Sequence, residues 1–341
     1  MKRRLIFHIG AHRTATSALQ DYLADNKRQL RSRGVVYPFQ VRRHLKQMNA
    51  LFSGRRDPAE FAETLTARAD RLGDSAHTIL LSDEDICMRE DLSLLARFRE
   101  WFDVKIVFTL RRQDTWLESW FFQNIKWQWN ANLAHCTFDE FMAQRESFHW
   151  IRYDKYVRHL EGLFGAENLI LNVMEKEQMP EGPIAAFCDS IGLTDRAGFT
   201  EPSHKNASFS PEISEFMRCL PLDAAPVEYR NQLTRACAQI DAKRGRNTKS
   251  SERLLPHADR VALMAEYDAG NRALAQRYFD REMLFLEPLP GPDAPLARME
   301  LPGDSYALME EFVAPLLSAL IGYRREEAKA KAEAEGTSKG D

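Results

Sequence analysis

The sequence has few cysteines and places none of them close together. Neighbouring cysteines are separated by 18 residues or more, whereas zinc and dithiol sites are built from pairs a few residues apart. An odd number of cysteines also does not suggest a disulfide framework. A cytoplasmic protein without a cysteine-based metal site is therefore predicted; the five are Cys87, Cys136, Cys188, Cys219 and Cys237.

Neither an excess of one charge nor a long hydrophobic run is present. The 47 basic and 50 acidic residues give a net charge of −3, which argues against a nucleic-acid partner and against general attraction to anionic lipid. The longest apolar run, residues 312–323, contains Pro315 and is shorter than the roughly 18 residues that a membrane-spanning helix needs. We expect no membrane span, and any anion site must be local.

Short apolar runs alternate with helical patterns through the first half of the chain. The runs cover residues 5–9, 35–37, 78–81, 104–110 and 168–173. Strands separated by helices of ten or more residues favour a parallel sheet with helices on both faces. The predicted fold class is a three-layer α/β fold, in one domain over residues 1–323 that is mainly helical from about residue 176. A mobile charged tail is expected over residues 324–341.

The first motif is HIGAHRTATSALQ, residues 8–20. It places a glycine after a strand, and small hydroxyl residues where a helix begins. Backbone N–H groups at a helix start point at one spot, where the helix dipole favours negative charge, and Arg13 adds a permanent positive charge. The alternative is that Thr14 or Thr16 only caps the helix and Arg13 is a surface charge. The segment lacks the glycine–lysine pair of a GxxxxGK[ST] loop.

The second motif is a strand that ends in Arg111 and Arg112 and is followed by a helix from about Asp114. Ligands of parallel sheets bind at the carboxyl ends of the strands, so both arginines are expected at the same edge as the first motif. Ser119 comes eight residues after Arg111 and could share an anion with it. Alternatively, Arg112 only pairs with Asp114, and Ser119 is a small packing residue.

The two motifs together resemble the nucleotide-binding signatures of sulfotransferases that use 3′-phosphoadenylyl sulfate (PAPS), in particular bacterial members whose first motif reads close to HIGxxKTGTTxLQ. Arg13 stands where that pattern has lysine, and Ala15 where it has glycine. An alanine predicts an ordinary backbone rather than a positive φ at this position. The similarity extends to about residue 285. The matching residues are His8, Ile9, Gly10, Thr14, Thr16, Leu19 and Gln20, with Arg111 and Ser119.

The resemblance implies a P-loop-like fold and transfer of a sulfuryl group from PAPS to a hydroxyl or amine, with no metal required. Arg111 and Ser119 would hold the 3′-phosphate of the donor. Arg13 would also stabilise the departing phosphate oxygen. The groups that would hold the 5′-phosphosulfate are the Arg13 side chain and the loop residues Thr14, Ala15, Thr16 and Ser17.

A base for the acceptor is not fixed by the motifs, since members of the family take it from different places. Glu84, which follows the strand at residues 78–81, is the preferred candidate because it would face the ligand edge. His44 is the next, and His12 lies inside the first motif. For each of them a structural or solvated role is the alternative, and Asp83 and Asp85 could simply cap the following turn.

Two other functions compete with sulfuryl transfer. A Mg²⁺-dependent nucleoside triphosphate kinase or hydrolase would use residues 82–84, Ser-Asp-Glu, near its metal, and a non-catalytic relative would bind the nucleotide without turnover. Besides the donor, the expected partner is a small-molecule or glycan acceptor. The acceptor's identity and the oligomeric state are left open.

Overall fold

The computed structural model describes residues 2–73, 75–202, 209–244 and 253–337, and for residues 331 and 333–337 only the backbone. Five strands form one parallel sheet in the order β2-β3-β1-β4-β5. They are β1 (Arg4–His8), β2 (Val35–Val36), β3 (Thr78–Ser82), β4 (Asp103–Leu110) and β5 (Leu169–Val173). All five predicted strands are confirmed, with ends that differ by at most one residue.

The central strand β1 is buried on both faces. Leu5, Ile6 and Phe7 are fully buried, and the pairing register joins Ile6 to Leu80 of β3 and to Lys105 of β4. Strands buried on both faces read as continuous apolar runs because helices cover each side of a parallel sheet. The sheet flanked by helices confirms the predicted α/β class.

Fifteen α-helices lie among the described residues, and several begin at recognisable caps. Asp57 accepts hydrogen bonds from the first N–H groups of the fourth helix, and Thr137 forms a capping box with Glu140 at the eighth, which compensates for donors without intrahelical partners. In chain order the helices are α1 (Thr16–Asp25), α2 (Lys27–Ser32), α3 (Leu45–Phe52), α4 (Pro58–Asp70), α5 (Ser93–Ala96), α6 (Gln113–Trp127), α7 (Ala131–Ala134), α8 (Phe138–Ala143), α9 (Tyr153–Phe164), α10 (Pro183–Ser190), α11 (Pro211–Cys219), α12 (Val227–Lys243), α13 (His257–Phe279), α14 (Ser305–Leu308) and α15 (Ala314–Thr337).

Internal contacts divide the chain into two compact units. The first comprises residues 1–116, 145–205 and 259–289 and holds the whole sheet. One core cluster of this unit packs Ile6 and Leu80 of the sheet against Leu19 and Leu23 of α1 and Phe187 of α10. The single domain predicted over residues 1–323 stays a prediction.

The second unit comprises residues 117–144, 206–258 and 290–341 and is helical, with α12 packed against α15. A π-helical turn, Met309–Val313, joins α14 to α15, and Phe312 is fully buried against Phe216 of α11. Most of the basic stretch 243–253 lies outside the described residues.

The C-terminal helical stretch bears on the predicted absence of a membrane span. Ser305–Ala330 is long and apolar enough to cross a bilayer by length and composition, and 11% of its most apolar window is buried. The apolar run 312–323 is therefore part of a longer helix, which the sequence pattern underestimated because Pro315 is accommodated in the first turn of α15. The absence of a span stays a prediction, and so does the cytoplasmic location.

Candidate functional site

Three neighbouring strands bring the candidate residues to the carboxyl edge of the sheet. The first motif follows β1, residues 83–85 follow β3, and Arg111 follows β4. After β1 the chain forms β2 and β3 on one side of this central strand, and it then forms β4 and β5 on the other side. In open α/β sheets such a reversal of strand order leaves a crevice at the carboxyl ends, where ligands bind.

The loop after β1, residues 9–15, turns sharply through three residues with positive φ. Gly10 has φ 114°, Arg13 has φ 65° and Ala15 has φ 62°. A Cβ atom on Gly10 would lie 3.3 Å from the Sγ atom of Cys87, so this position has little room for a side chain. The expectation of an ordinary backbone at Ala15 is wrong. The left-handed turn that glycine would adopt without strain is imposed on alanine by the tight connection between loop and helix.

Helix α1 presents its N-terminus to this edge. Its first intrahelical hydrogen bond runs from the Leu19 N–H to the Ala15 carbonyl, so the N–H groups of residues 16–18 precede the helical ladder. The N-cap residue of this helix is Ala15, whose methyl side chain cannot accept a cap hydrogen bond, and the hydroxyl of the preceding Thr14 donates to the Ala11 carbonyl at 2.7 Å. Uncapped N–H groups with an aligned dipole favour an anion at this position.

Arg111 connects the second motif to the loop of the first. Its Nη1 donates to the Arg13 carbonyl at 2.6 Å, and its Nε lies 3.4 Å from the Thr115 hydroxyl. The Arg111 backbone is held in turn by the hydroxyl of Tyr153, which accepts from its N–H at 3.0 Å and donates to its carbonyl at 2.6 Å. The two motifs are therefore one hydrogen-bonded unit.

A second clamp on the loop comes from α6. The indole Nε1 of Trp116, a fully buried side chain, donates to the His12 carbonyl at 2.8 Å. Together with the Arg111 contact, it fixes two successive carbonyls of the loop. These two hydrogen bonds, from Trp116 and Arg111, hold the backbone just before Ala15. They explain how the strained conformation of residues 13–15 is maintained.

Arg112 has a structural environment. It donates to both carboxylate oxygens of Asp114, at 2.8 and 3.2 Å, and to the carbonyls of Glu287 and Pro288. Arg260, fully buried, pairs with the same carboxylate at 2.5 Å. Burial acts to raise the pKa of Asp114, but the two arginines outweigh it and lower that pKa. This matches the alternative that Arg112 pairs with Asp114.

Ser119 lies in the middle of α6 and is half-buried. Its proposed share in a phosphate site with Arg111 stays a prediction. The aromatic residues around it mostly belong to the core: Trp116, Trp120 and Phe121 are 3% exposed or less.

The acidic run after β3, Asp83 to Asp85, is bound to a half-buried arginine, Arg43, that the sequence analysis did not single out. Arg43 contacts Asp83 at 2.7 Å, Glu84 at 3.3 Å and Asp85 at 2.5 Å. Burial raises the pKa of Asp83 to about 6, although Arg43 acts in the opposite direction. Burial also acts to raise the pKa of Asp85, but its bonds to His12 and Arg43 outweigh this and lower it to about 2.

Glu84 is 6% exposed and is held from the first helix. Gln20 of α1 donates from Nε2 to Glu84 Oε2 at 2.5 Å and to the Ser82 hydroxyl at 3.2 Å, and the same hydroxyl lies 2.8 Å from Nδ1 of His8. His8, Gln20 and Ser82 thus join the ends of β1 and β3 beneath the loop. The Gln20 contact was missed by the sequence analysis, although Gln20 belongs to the first motif.

His44 is fully buried at the start of α3. Its Nδ1 accepts a hydrogen bond from the Ser82 N–H at 3.0 Å, and its ring packs against Tyr37 and Phe39. Burial, reinforced by the charge of Lys27, lowers the pKa of His44 to about 3. The ring is therefore neutral at physiological pH and supports the strand end; its role as a base stays a prediction.

His12 and Asp85 link the loop to the acidic run. The His12 Nε2 lies 3.0 Å from Asp85 Oδ1, so the side chain of the loop histidine is directed to this carboxylate. Asp83 also accepts from the Asp85 N–H at 3.3 Å, the turn-capping role given as its alternative. In the described ranges no group of three or more histidine, cysteine, aspartate or glutamate side chains is arranged to hold a metal ion.

The comparison with known proteins finds a solved structure that is similar to this chain. No protein-family model and no curated protein matches the chain. A solved structure described as a sulfotransferase from Alicyclobacillus acidocaldarius is similar at 15% sequence identity, covering 60% of this chain and 87% of that chain, with a TM-score of 0.40. The α/β class itself rests on the sheet and its helices.

Proposed function

We propose that the protein is a sulfotransferase that moves the sulfuryl group of PAPS to a hydroxyl or amine of a small-molecule or glycan acceptor. The observation that carries the proposal is the bond between Arg111 and the Arg13 carbonyl. It brings the two motifs of the resemblance together at the uncapped start of α1. PAPS carries a phosphosulfate at the 5′ position of its ribose and a phosphate at the 3′ position. Arg13 of the first motif and Arg111 of the second offer a cationic group for each.

The 5′-phosphosulfate would lie at the helix start. The N–H groups of residues 16–18 and the hydroxyls of Thr16 and Ser17 are suited to a tetrahedral oxyanion, and Arg13 is half-buried beside them. Burial lowers the pKa of Arg13 from its usual value, but a guanidinium remains charged in proteins. Its charge would stabilise the phosphate oxygen that gains negative charge as the S–O bond breaks.

The 3′-phosphate would lie near Arg111 and Ser119. The planar guanidinium of Arg111 is suited to a phosphate, and its Nη1 contact with the Arg13 carbonyl places it beside the first motif. In this arrangement Arg111 would bind the donor and support the loop at once. The nucleotide and the loop would then be ordered together.

Glu84 would be the base. It would take the proton from the acceptor as the acceptor oxygen or nitrogen bonds to sulfur, and adenosine 3′,5′-bisphosphate would leave. Gln20 and Arg43 hold the carboxylate in one orientation. His44 is fully buried and its Nδ1 already accepts the Ser82 N–H, which favours Glu84 over His44.

The test has a binding arm and a transfer arm. Calorimetry with adenosine 3′,5′-bisphosphate in the presence of a chelator should show binding, and Arg13→Ala should weaken it, whereas Arg42→Ala, at a half-exposed arginine paired with Asp21, should not. Labelled sulfate should then pass from PAPS to members of an acceptor panel.

The competing functions give different results. Binding of Mg-ATP without any response to the bisphosphate would refute the proposal in favour of a kinase or hydrolase. Bisphosphate binding without transfer to a broad panel would favour the non-catalytic relative.

A further inference from the structure

A pair of stacked tryptophans lies at the end of α6, in the second unit. Trp127 is the last residue of the helix, and its ring lies nearly parallel to that of Trp129, with the centroids 5.9 Å apart and the planes at 9°. All six tryptophans lie among the described residues, and Trp129 alone is exposed, at 58%. Tryptophan side chains are on average well buried, so the exposed ring indicates a contact site. We call these two rings the indole platform.

The turn between the two rings is strained and is held by buried hydrogen bonds. Gln128 has φ 45°, a left-handed angle that L-residues disfavour. Its side chain is 1% exposed and is bonded at both ends: Nε2 donates to the Met217 carbonyl at 2.7 Å, and Oε1 accepts from the Asp223 N–H at 3.1 Å. Strain that the surroundings maintain is concentrated at functional sites. The turn therefore fixes the indole platform before any ligand arrives.

The inner ring of the pair is supported, and the outer ring is open. Trp127 is half-buried, and Nζ of Lys126 lies 5.6 Å from its ring centroid, within the range of a cation–π contact. One face of Trp129 packs on Trp127. The high exposure of Trp129 leaves its other face to the solvent.

Polar side chains lie next to the platform. Asn130 follows it in the chain, is exposed, and accepts from the Asn132 N–H at 3.0 Å. The carboxylate of Asp223 lies 3.1 Å from Nε2 of His135, and Arg230 donates to the Asp223 carbonyl at 3.1 Å. Amide, carboxylate, imidazole and guanidinium groups together offer both donors and acceptors, as neutral hydroxyl groups require.

We propose that the indole platform binds the face of a sugar ring in a β-linked glycan. In β-linked glucose and N-acetylglucosamine the ring substituents are equatorial, so each face of the ring presents axial C–H groups. Such a face packs on the open side of Trp129, while the equatorial hydroxyls reach the polar side chains beside the turn. One consequence rests on the proposed sulfuryl transfer: the acceptor is then a glycan rather than a small metabolite.

A protein or a nucleic acid suits the platform less well. A protein interface of standard size takes about 800 Å² from each partner, whereas two tryptophan side chains bury about 500 Å² at most. Residues 130–132, Asn-Ala-Asn, are exposed and extend the surface with amides rather than with apolar groups. A single-stranded nucleic acid also stacks on aromatic rings, but it needs a positively charged groove, and the chain carries a net charge of −3 with Asp223 next to the turn.

The indole N–H signals of the full chain, labelled with ¹⁵N-tryptophan, test the site. The six tryptophans give one signal each, and Trp127→Phe and Trp129→Phe assign two of them by their loss. Cellotetraose or chitotetraose should shift these two signals, with a dissociation constant on the order of millimolar for one stacked ring and a few neutral hydrogen bonds. The signal of Trp150, which is 4% exposed, should stay in place.

Variants of Trp129 separate stacking from general hydrophobic contact. Trp129→Leu keeps an apolar side chain without a flat ring and should weaken tetrasaccharide binding about tenfold, whereas Trp129→Phe should retain part of the affinity. Tyr306→Leu, at a 74% exposed tyrosine of the same unit, is the matched control and should bind as the wild type does. Saturation-transfer NMR on the sugar protons measures all three. Equal binding by Trp129→Leu and the wild type would overturn the proposal.

Absence of any shift with both tetrasaccharides would also overturn it. So would tighter binding of a thymidine oligonucleotide than of either sugar, which would assign the platform to nucleic acid. With PAPS present, labelled sulfate should appear on the tetrasaccharide that binds, and transfer only to small alcohols or phenols would refute the glycan acceptor.

The sugar titrations contain no PAPS, which keeps this proposal separate from the proposed function. A chain that binds adenosine 3′,5′-bisphosphate but neither tetrasaccharide refutes the platform alone. A chain that binds a tetrasaccharide but not the bisphosphate supports the platform and refutes sulfuryl transfer.

Discussion

Arg111 and Arg13 are 98 residues apart in the chain, yet the Nη1 of Arg111 lies 2.6 Å from the Arg13 carbonyl. This bond joins the end of β4 to the loop after β1. It makes the conformation of the loop depend on a side chain from another strand. Binding and loop order should therefore change together when Arg111 is altered.

Replacing Arg111 with alanine should weaken the binding of adenosine 3′,5′-bisphosphate about 10- to 100-fold, as expected for the loss of a charge-assisted hydrogen bond of about 1.5–3 kcal/mol. Arg111→Lys should recover only part of the affinity, because lysine keeps the charge and loses the planar fork. Calorimetry measures both. Equal affinities for the wild-type protein and Arg111→Ala would contradict the assigned contact.

Replacing Ala15 with glycine should stabilise the fold. The left-handed backbone of Ala15, with φ 62°, costs an L-residue about 1–2 kcal/mol relative to glycine, part of which is offset by the greater freedom of glycine in the unfolded chain. A gain of about 1 kcal/mol in the free energy of unfolding is expected by denaturant titration.

Ala18→Gly is the matched control for that substitution, because Ala18 lies inside α1. There glycine should destabilise by about 0.5–1 kcal/mol. Loss of stability in both variants would show that the backbone at position 15 is not left-handed.

Replacing Glu84 with glutamine should lower the transfer rate about 10²- to 10⁴-fold, the usual contribution of a general base, while leaving bisphosphate affinity unchanged. The matched control is Glu175→Gln, since Glu175 is also 6% exposed and is hydrogen-bonded to backbone N–H groups. Glu175→Gln should lower the free energy of unfolding and leave the rate of the chemical step unchanged. Single-turnover transfer of labelled sulfate separates the two, and an unchanged rate in Glu84→Gln would remove it from the mechanism.

Acid should destabilise the protein through its buried histidines. Burial lowers the pKa of His8 to about 4, against a weaker opposing effect of Glu84, and burial with Lys27 lowers that of His44 to about 3. Both values lie below 6.5, the usual value, so the unfolded chain takes up protons first as the pH falls. The stability they contribute is fully present above about pH 6.5, and as the pH falls it is lost down to about 4 for His8 and about 3 for His44.

His44→Gln isolates one of these histidines. Each histidine contributes about 1.4 kcal/mol per pH unit to the slope of unfolding free energy in that range, so the variant should have a shallower slope by about this amount, whatever its stability at pH 7. Urea titrations at pH 7 and pH 5 measure it. An unchanged slope would mean that His44 is protonated equally in both states.

Much of the fold could be predicted because its signals are local. The five apolar runs are the five strands of the sheet, and their ends lie within one residue of the predicted positions. The predicted parallel sheet also indicated where the candidate site residues would lie. The carboxyl ends of β1, β3 and β4 meet at one edge of the sheet, because the three strands are parallel neighbours. The loop after β1, the acidic run and Arg111 could therefore be placed at this edge from the sequence alone.

The contacts of the candidates could not be predicted in the same way. Glu84 is bound by Gln20 and Arg43, 64 and 41 residues away in the chain, and nothing in its own segment identifies them. His44 follows β2 in the chain and was a candidate base, but tertiary packing against Tyr37 and Phe39 buries it. Burial and hydrogen-bond partners, which set the pKa of each group, are properties of the assembled elements.

By itself, the sequence determined a parallel α/β sheet with an anion-binding helix start after its first strand, because periodicity, small residues and strand-ending arginines are local patterns. Only the tertiary structure decided that the backbone of Ala15 is left-handed. It also decided that Arg111 holds the loop before Ala15, through the Arg13 carbonyl. A backbone angle that alanine disfavours on its own is imposed by its surroundings, since Arg111 after β4 and Trp116 of α6 fix the carbonyls of Arg13 and His12 just before it.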